Sequence, residues 1–154
     1  MKEILIETLK TSRKETQRGI DRLVEEANAI CNEYWKIFQA KNKKFLQESQ
    51  GSGGKNKNLG RYAPKVTVVG DGKKQTITWN DYAPRLKGVP CLRMSLRVST
   101  TKRGAYSISC FPKHKDWEWL LIKEFEGRLS PLRETLECLH AHNVTLARKI
   151  RKYS

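Results

Sequence analysis

The residues best suited to chemistry are cations, and the most ordered group of them lies in CLRMSLRVSTTKRGAYSISC, residues 91–110. In the first arm Leu92, Met94, Leu96 and Val98 fall on one face, with Arg93, Ser95 and Arg97 on the other. The second arm repeats the scheme, setting Tyr106, Ile108 and Cys110 against Ser107 and Ser109. Two alternating arms about a basic turn predict a β-hairpin whose polar face carries Arg93 and Arg97, with Lys102 and Arg103 at its tip. Residues four apart on a strand are separated by about 13 Å, a spacing that straddles neighbouring phosphates on one backbone. The chemistry implied is neutralisation of a polyanion with release of counterions, and a twisted two-stranded ribbon fits the major groove of a duplex.

Lys73 and Lys74 at a second turn, Lys55 and Lys57 in a glycine-rich stretch, and Arg61, Arg85 and Lys87 at the rim extend this basic set. Tyr62, Trp79, Tyr82 and Tyr106 are interleaved with it and would suit stacking on bases or sugars if exposed. The distribution of charge supports a common purpose. The 154 residues carry a net charge of +15. Residues 1–50 hold ten basic and eight acidic side chains, and residues 114–154 hold eight and six. Residues 51–113 hold thirteen basic side chains against only Asp71 and Asp81. Solubility alone would spread the excess over the chain.

Other chemistries find less support. In CLHAH, Cys138 and His142 are four apart and share a helix face, while His140 points elsewhere. His114 or Cys31 could complete a zinc site, yet no spacing resembles CxxC…HxxxH, and no metal is expected. A nuclease needs clustered carboxylates or histidines for its metal, or a tyrosine beside a histidine triad. Asp71 and Asp81 sit in separate turns, and the three histidines form no triad. GSGGKNK has the glycines of a phosphate loop without the preceding strand or the hydroxyl after the lysine. No enzymatic activity and no cofactor are expected.

These residues need elements to hold them. Residues 2–48 lack proline, and Ile20, Leu23, Val24, Ala27, Ile30, Cys31, Tyr34, Trp35 and Phe38 make one stripe at helical spacing. Gly19 is expected to kink this helix or split off a short leading one over 4–17. QGSGGKNKN, residues 50–58, reads as a mobile basic loop. Strands are predicted over Lys65–Val69 and Gln75–Trp79, about the Asp71-Gly72 turn. NDYAPRLKGVP then forms a loop before the hairpin quoted above. After Pro112, Asp116 is a plausible N-cap, and Trp117, Leu120, Leu121, Phe125 and Leu129 restart the helical stripe. Ser130-Pro131 predicts a kink or a second helix, carried on by Leu132, Leu136, Leu139, Val144, Ala147 and Ile150.

The expected fold is α+β: a long N-terminal helix, a four-stranded antiparallel meander of two hairpins, and a long kinked or split C-terminal helix pairing with the first. Trp35, Phe38, Trp117 and Leu121 are expected where the helices meet. One domain spans 1–154, divided into a helical arm (1–49), a flexible basic loop (50–61), a basic β-meander (62–112) and C-terminal helices (113–154). No apolar run approaches the ~20 residues of a membrane span, and MKEILIETLKTSRKE lacks a cleavage site, so a cytoplasmic protein with reduced cysteines is expected.

ANAICNEYWKIFQ (27–39), TITW (76–79), KHKDWEWLLIKEFEGRLSPLRETLECL and the closing LARKIRKY (113–153) together resemble the MobI(A/C)-type conjugative transfer proteins. These are small proteins of integrative conjugative elements and related plasmids. The resemblance implies a mobilisation factor that acts at the origin of transfer and helps a relaxase engage there, and it brings no catalytic residue. The expected function is therefore a DNA-binding accessory factor of the relaxosome. Two alternatives stay open: an interaction or inhibitor module of a mobile element that binds an acidic protein surface, and an RNA-binding protein. The helix stripes could pair between chains as well as within one, which leaves a homodimer open.

Overall fold

The computed structural model describes residues 1–48, 58–83 and 95–154, together with the backbone of 85–86 and 89–90. Helix α1 (Lys2–Glu48) is continuous and about 70 Å long at 1.5 Å per residue. The stripe is its buried face: Ile20, Ala27, Ile30, Cys31, Tyr34 and Phe38 are buried, and Leu23, Val24 and Trp35 pack against them. Gly19 does not divide the helix. A Cβ there would lie 3.3 Å from Leu139 Cδ1, so the glycine lets the second helix approach.

Strands β1 (Tyr62–Val69) and β2 (Lys74–Asp81) form the first hairpin, paired from Tyr62↔Asp81 to Val69↔Lys74. Its turn needs left-handed backbone at Gly70 (φ 72°) and at Lys73 (φ 52°), with the Lys73 N–H donating to the Gly70 carbonyl at 3.3 Å. Strands β3 (Arg85–Leu86) and β4 (Val89–Pro90) make a separate two-residue ladder. Strand β5 (Leu96–Arg97) pairs with the end of β2 through Asn80↔Arg97 and Asp81↔Leu96. The main sheet is thus antiparallel with order β1-β2-β5.

The expected four-stranded meander is corrected to three strands, because the second arm of the second hairpin is not extended. Ile108–Cys110 form a 3-10 turn instead. Strand alternation would send Tyr106 and Phe111 to opposite faces. Here both rings belong to the core, 5.9 Å apart, with Phe111 buried against Tyr62 and Trp79. The aromatic residues win, and Ile108 is left 48% exposed.

Helix α2 (Asp116–Tyr153) follows, about 57 Å long and unbroken. Lys115, not Asp116, is its N-cap, and Asp116 is the first helical residue. The expected split at Ser130-Pro131 is absent. Gly127, Ser130 and Pro131 all lie on the exposed face, so solvent can bond the carbonyl that proline leaves without its helical partner. Leu129 and Leu136 hold the helix from the buried side.

The two helices run antiparallel. Glu33 meets Arg128 at 2.8 Å, Gln17 meets Asn143 at 3.2 Å, and Phe45 meets Trp117 with ring centroids 5.7 Å apart. The sheet lies on this pair. Trp79 and Ile77 enter the core with Tyr34, Phe111, Phe125 and Ile122, and Trp79 makes edge contacts with Tyr34 at 5.1 Å and Phe111 at 5.6 Å. Among the described residues no helix is long and apolar enough to cross a membrane.

Candidate nucleic-acid interface

The short strand β5 places Arg97 at the sheet edge, opposite Asn80 and exposed to solvent. Lys102 and Arg103 occupy a tight turn closed by Thr101 N–H to the Ala105 carbonyl (2.8 Å) and Gly104 N–H to the Thr101 carbonyl (2.9 Å). Gly104 supplies the positive φ (77°) that this turn requires. Both cations are exposed, and Arg97, Lys102 and Arg103 have no acidic partner among the described residues. Arg93, Lys87, Lys55 and Lys57 lie outside the described residues, as does the side chain of Arg85.

The rest of the basic set is divided by the fold. Lys73 is exposed in the β1–β2 turn, but Lys74 is ion-paired with Glu137 of α2. Arg97 pairs with Asn80, seven residues along β2 from Lys73, which separates the two by about 23 Å at 3.3 Å per residue. The cations therefore make two groups, one at each end of the sheet. Arg61 belongs to neither. Its guanidinium is half-buried, bonds both Asp81 carboxylate oxygens at 2.9 and 2.6 Å, and donates to the Ala83 carbonyl at 2.9 Å. The Asp81 carboxylate raises the pKa of Arg61, which keeps this ion pair charged.

Aromatic stacking on bases is not available from the expected residues. Tyr62 and Trp79 are buried. Tyr82 packs edge-on against Trp35 at 5.0 Å, and Tyr106 lies under the Arg133 guanidinium at 4.9 Å. Trp119 is half-buried beside Phe111 and His114. Tyr62, Trp79 and Tyr82, expected as stacking residues, instead lie where the sheet meets the helices.

Three charged residues that hold this platform escaped sequence reasoning. Glu126 accepts from Trp79 Nε1 (2.9 Å) and from both terminal nitrogens of Arg133 (2.7 and 2.8 Å), while Arg133 Nε donates to the Ile77 carbonyl at 2.7 Å. Glu118 is fully buried at the third position of α2. It accepts the backbone N–H groups of Arg61 (2.5 Å), Tyr62 (2.9 Å) and Lys115 (3.3 Å). Burial raises its carboxyl above the usual range even though those N–H groups favour the ionised form. A glutamate three residues past an N-cap is the sequence signal that could have marked Glu118 as a cap. Nothing local marks it as the link to β1. Gly60 completes the junction, since a Cβ there would sit 2.7 Å from the Trp117 ring, and the Asn42 amide bonds its backbone on both sides.

CLHAH forms no site of its own: Cys138 and His142 are exposed, and His140 is half-buried on a different face. Burial pushes the Cys31 thiol up to about 11, which disfavours the thiolate a metal would need. Among the described residues no three His, Cys, Asp or Glu side chains gather as a metal site.

Comparison with known proteins gives one match. The family model described as MobI protein covers residues 23–147, most of the chain. No curated protein and no solved structure matches.

Proposed function

We propose a DNA-binding role from one premise: the chain belongs to the MobI family and is a mobilisation protein of conjugative transfer. In this reading Arg97, Lys102 and Arg103 contact backbone phosphates of duplex DNA at the origin of transfer, joined by Arg93, Arg85 and Lys87 from the adjoining segment. Lys73 adds a contact from the far end of β2. Lys74 and Arg61, already neutralised by Glu137 and Asp81, serve the fold. The protein prepares the site for a relaxase and carries out no chemistry itself.

One observation carries this reading. The fold pairs cations with acids where they lie against the helices, yet it leaves Arg97 at a sheet edge, and Lys102 and Arg103 in the turn that follows, without a counter-charge among the described residues. Phosphate contact predicts a steep salt dependence, with log affinity changing by about −0.9 per log salt for each phosphate neutralised. Mobility shifts on transfer-origin duplex, on a scrambled duplex and on a structured RNA test it. The variant R97E/K102E/R103E should bind duplex at least a hundredfold more weakly and lose about 2.7 from the salt slope. Its melting temperature should match the wild type, because the three side chains are exposed. Duplex affinity that is indifferent to salt, or unchanged in this variant, overturns the assignment.

A further inference from the structure

The seam between α1 and α2 opens into a furrow where the β1–β2 turn lies over it. A cavity of about 410 Å³ is bounded by Arg13 and Gln17 of α1, Lys73 of the turn, and His140, Asn143 and Arg151 of α2. A second cavity of about 450 Å³ shares Arg13, Gln17 and Asn143 and adds Lys10 and Lys14. Its floor is neutral, with Asn143 Nδ2 donating to Gln17 Oε1 at 3.2 Å. Among the described residues no carboxylate lines either cavity. The nearby acids stand outside: Glu137 is held by Lys74, Glu15 by Arg18, Asp71 is exposed beside Gly72 in the turn, and Glu3 and Glu7 lie one to two turns before Lys10 on α1, where they share a neighbouring hollow with Lys10 and Lys14.

This arrangement is not what antiparallel helix pairing requires. Further along the same seam Glu33 meets Arg128, base against acid. Here cation faces cation. After Glu137, α2 carries Arg148, Lys149, Arg151 and Lys152 and no acid. The helix dipole accounts for cations in the last turn of α2, but it does not account for Lys10, Arg13 and Lys14, which lie beyond the first turn of α1. Three elements thus bring positive charge to one concave surface and leave it without a partner.

We propose that the furrow is a second phosphate-binding site, taking the backbone of duplex nucleic acid, with Arg13, Lys73 and Arg151 about one phosphate and Lys10 and Lys14 meeting the next. Among the described residues neither cavity is lined by a Phe, Tyr or Trp ring, so the surface offers no large aromatic platform for an unstacked base. Contacts of this kind position a duplex and carry no sequence information. The inference rests on nucleic acid being the ligand and is independent of the Arg97 edge.

The test follows the imidazole signals of His140 and His142 by NMR as a 30-base-pair duplex is added, alongside affinity measurements on charge-reversal variants. His140 lines the furrow, while His142 is exposed and does not, so the duplex should shift His140 and leave His142 in place. R13E/R151E should bind at least tenfold more weakly, with about 1.8 removed from the salt slope and no change in melting temperature. If R13E/R151E binds like wild type while R97E/K102E/R103E loses binding, the furrow is wrong and the sheet-edge reading stands. The opposite pattern keeps the furrow and overturns the edge. Tripolyphosphate that shifts His140 when duplex does not would overturn the nucleic-acid assignment.

Discussion

Where α2 begins, Glu118 is sealed from solvent and takes two backbone N–H groups from the loop and strand that pack on it and a third from the helix's own N-cap. Where α2 ends, Arg151 looks across an open furrow at Arg13 and Lys73, with no acid among the described residues lining the space. Both ends join the same two helices to the same hairpin. At the first, a charge is desolvated and every N–H it meets is used, so its removal is felt by the whole fold. At the second, charges stay hydrated and contribute nothing to cohesion. Charge therefore has two uses along one seam, and burial with partners, more than residue type, tells them apart.

The comparison is broken most severely at Glu118. Glu118→Ala leaves the N–H groups of Arg61 and Tyr62 buried without acceptors and opens a void beside Trp117. Each unpaired buried donor costs about 1–3 kcal/mol, so a loss of about 3 kcal/mol is expected. For a chain of this size that lowers the melting temperature by roughly 6–12 °C, as calorimetry would record. A melting temperature unchanged by the substitution would show that the two ends do not differ.

A gentler variant sharpens the same contrast. Glu118→Gln keeps an oxygen for Arg61 and Tyr62 but cannot ionise. Because the folded carboxyl titrates above its unfolded value, the native state holds the proton more tightly. Stability from this group is fully present below the unfolded pKa and is lost as pH rises through the folded one. Between pH 4 and pH 7 the wild type should therefore lose stability relative to Glu118→Gln. Parallel melting curves for the two proteins over that range would contradict the burial argument.

The smallest effect is expected midway along the seam. The Arg128–Glu33 pair is exposed on both sides, where Coulomb gain is screened and offset by side-chain ordering. Arg128→Ala should leave the melting temperature at the wild-type value within experimental scatter. A clear drop would place the division between structural and free charge nearer to the furrow.

Much of the architecture was legible because it is local. The three-four spacing from Ile20 to Phe38 marks the buried face of α1, and Asp71-Gly72 marks the first hairpin. Failures came where distant packing overrode a local pattern. The alternation through Tyr106, Ile108 and Cys110 is a strand signal, but Phe111 must also reach Trp79 and Tyr62, and the 3-10 turn permits both. Gly19 and Pro131 read as breaks because their helical neighbours could not be seen. Each lies where continuity costs little, one beneath Leu139 and the other facing solvent.

The candidate site was legible in part. Arg97, Lys102 and Arg103 are exposed without a counter-charge among the described residues, whereas Arg61 and Lys74 meet acids 20 and 63 residues away. The furrow was hidden by averaging. Each terminal segment sums to +2, which conceals that α2 mixes acids and cations up to Glu137 and carries only cations, Arg148, Lys149, Arg151 and Lys152, after it. Only the antiparallel pairing brings that tail to Arg13.

The link from Glu118 to Tyr62 spans 56 residues. On the ribosome the amides that open the first strand emerge well before the carboxylate that will receive them. The first hairpin must therefore wait, its leading edge unclasped, until the second helix is made. The bonds that clasp that edge to the helix pair thus close only after the second helix has begun.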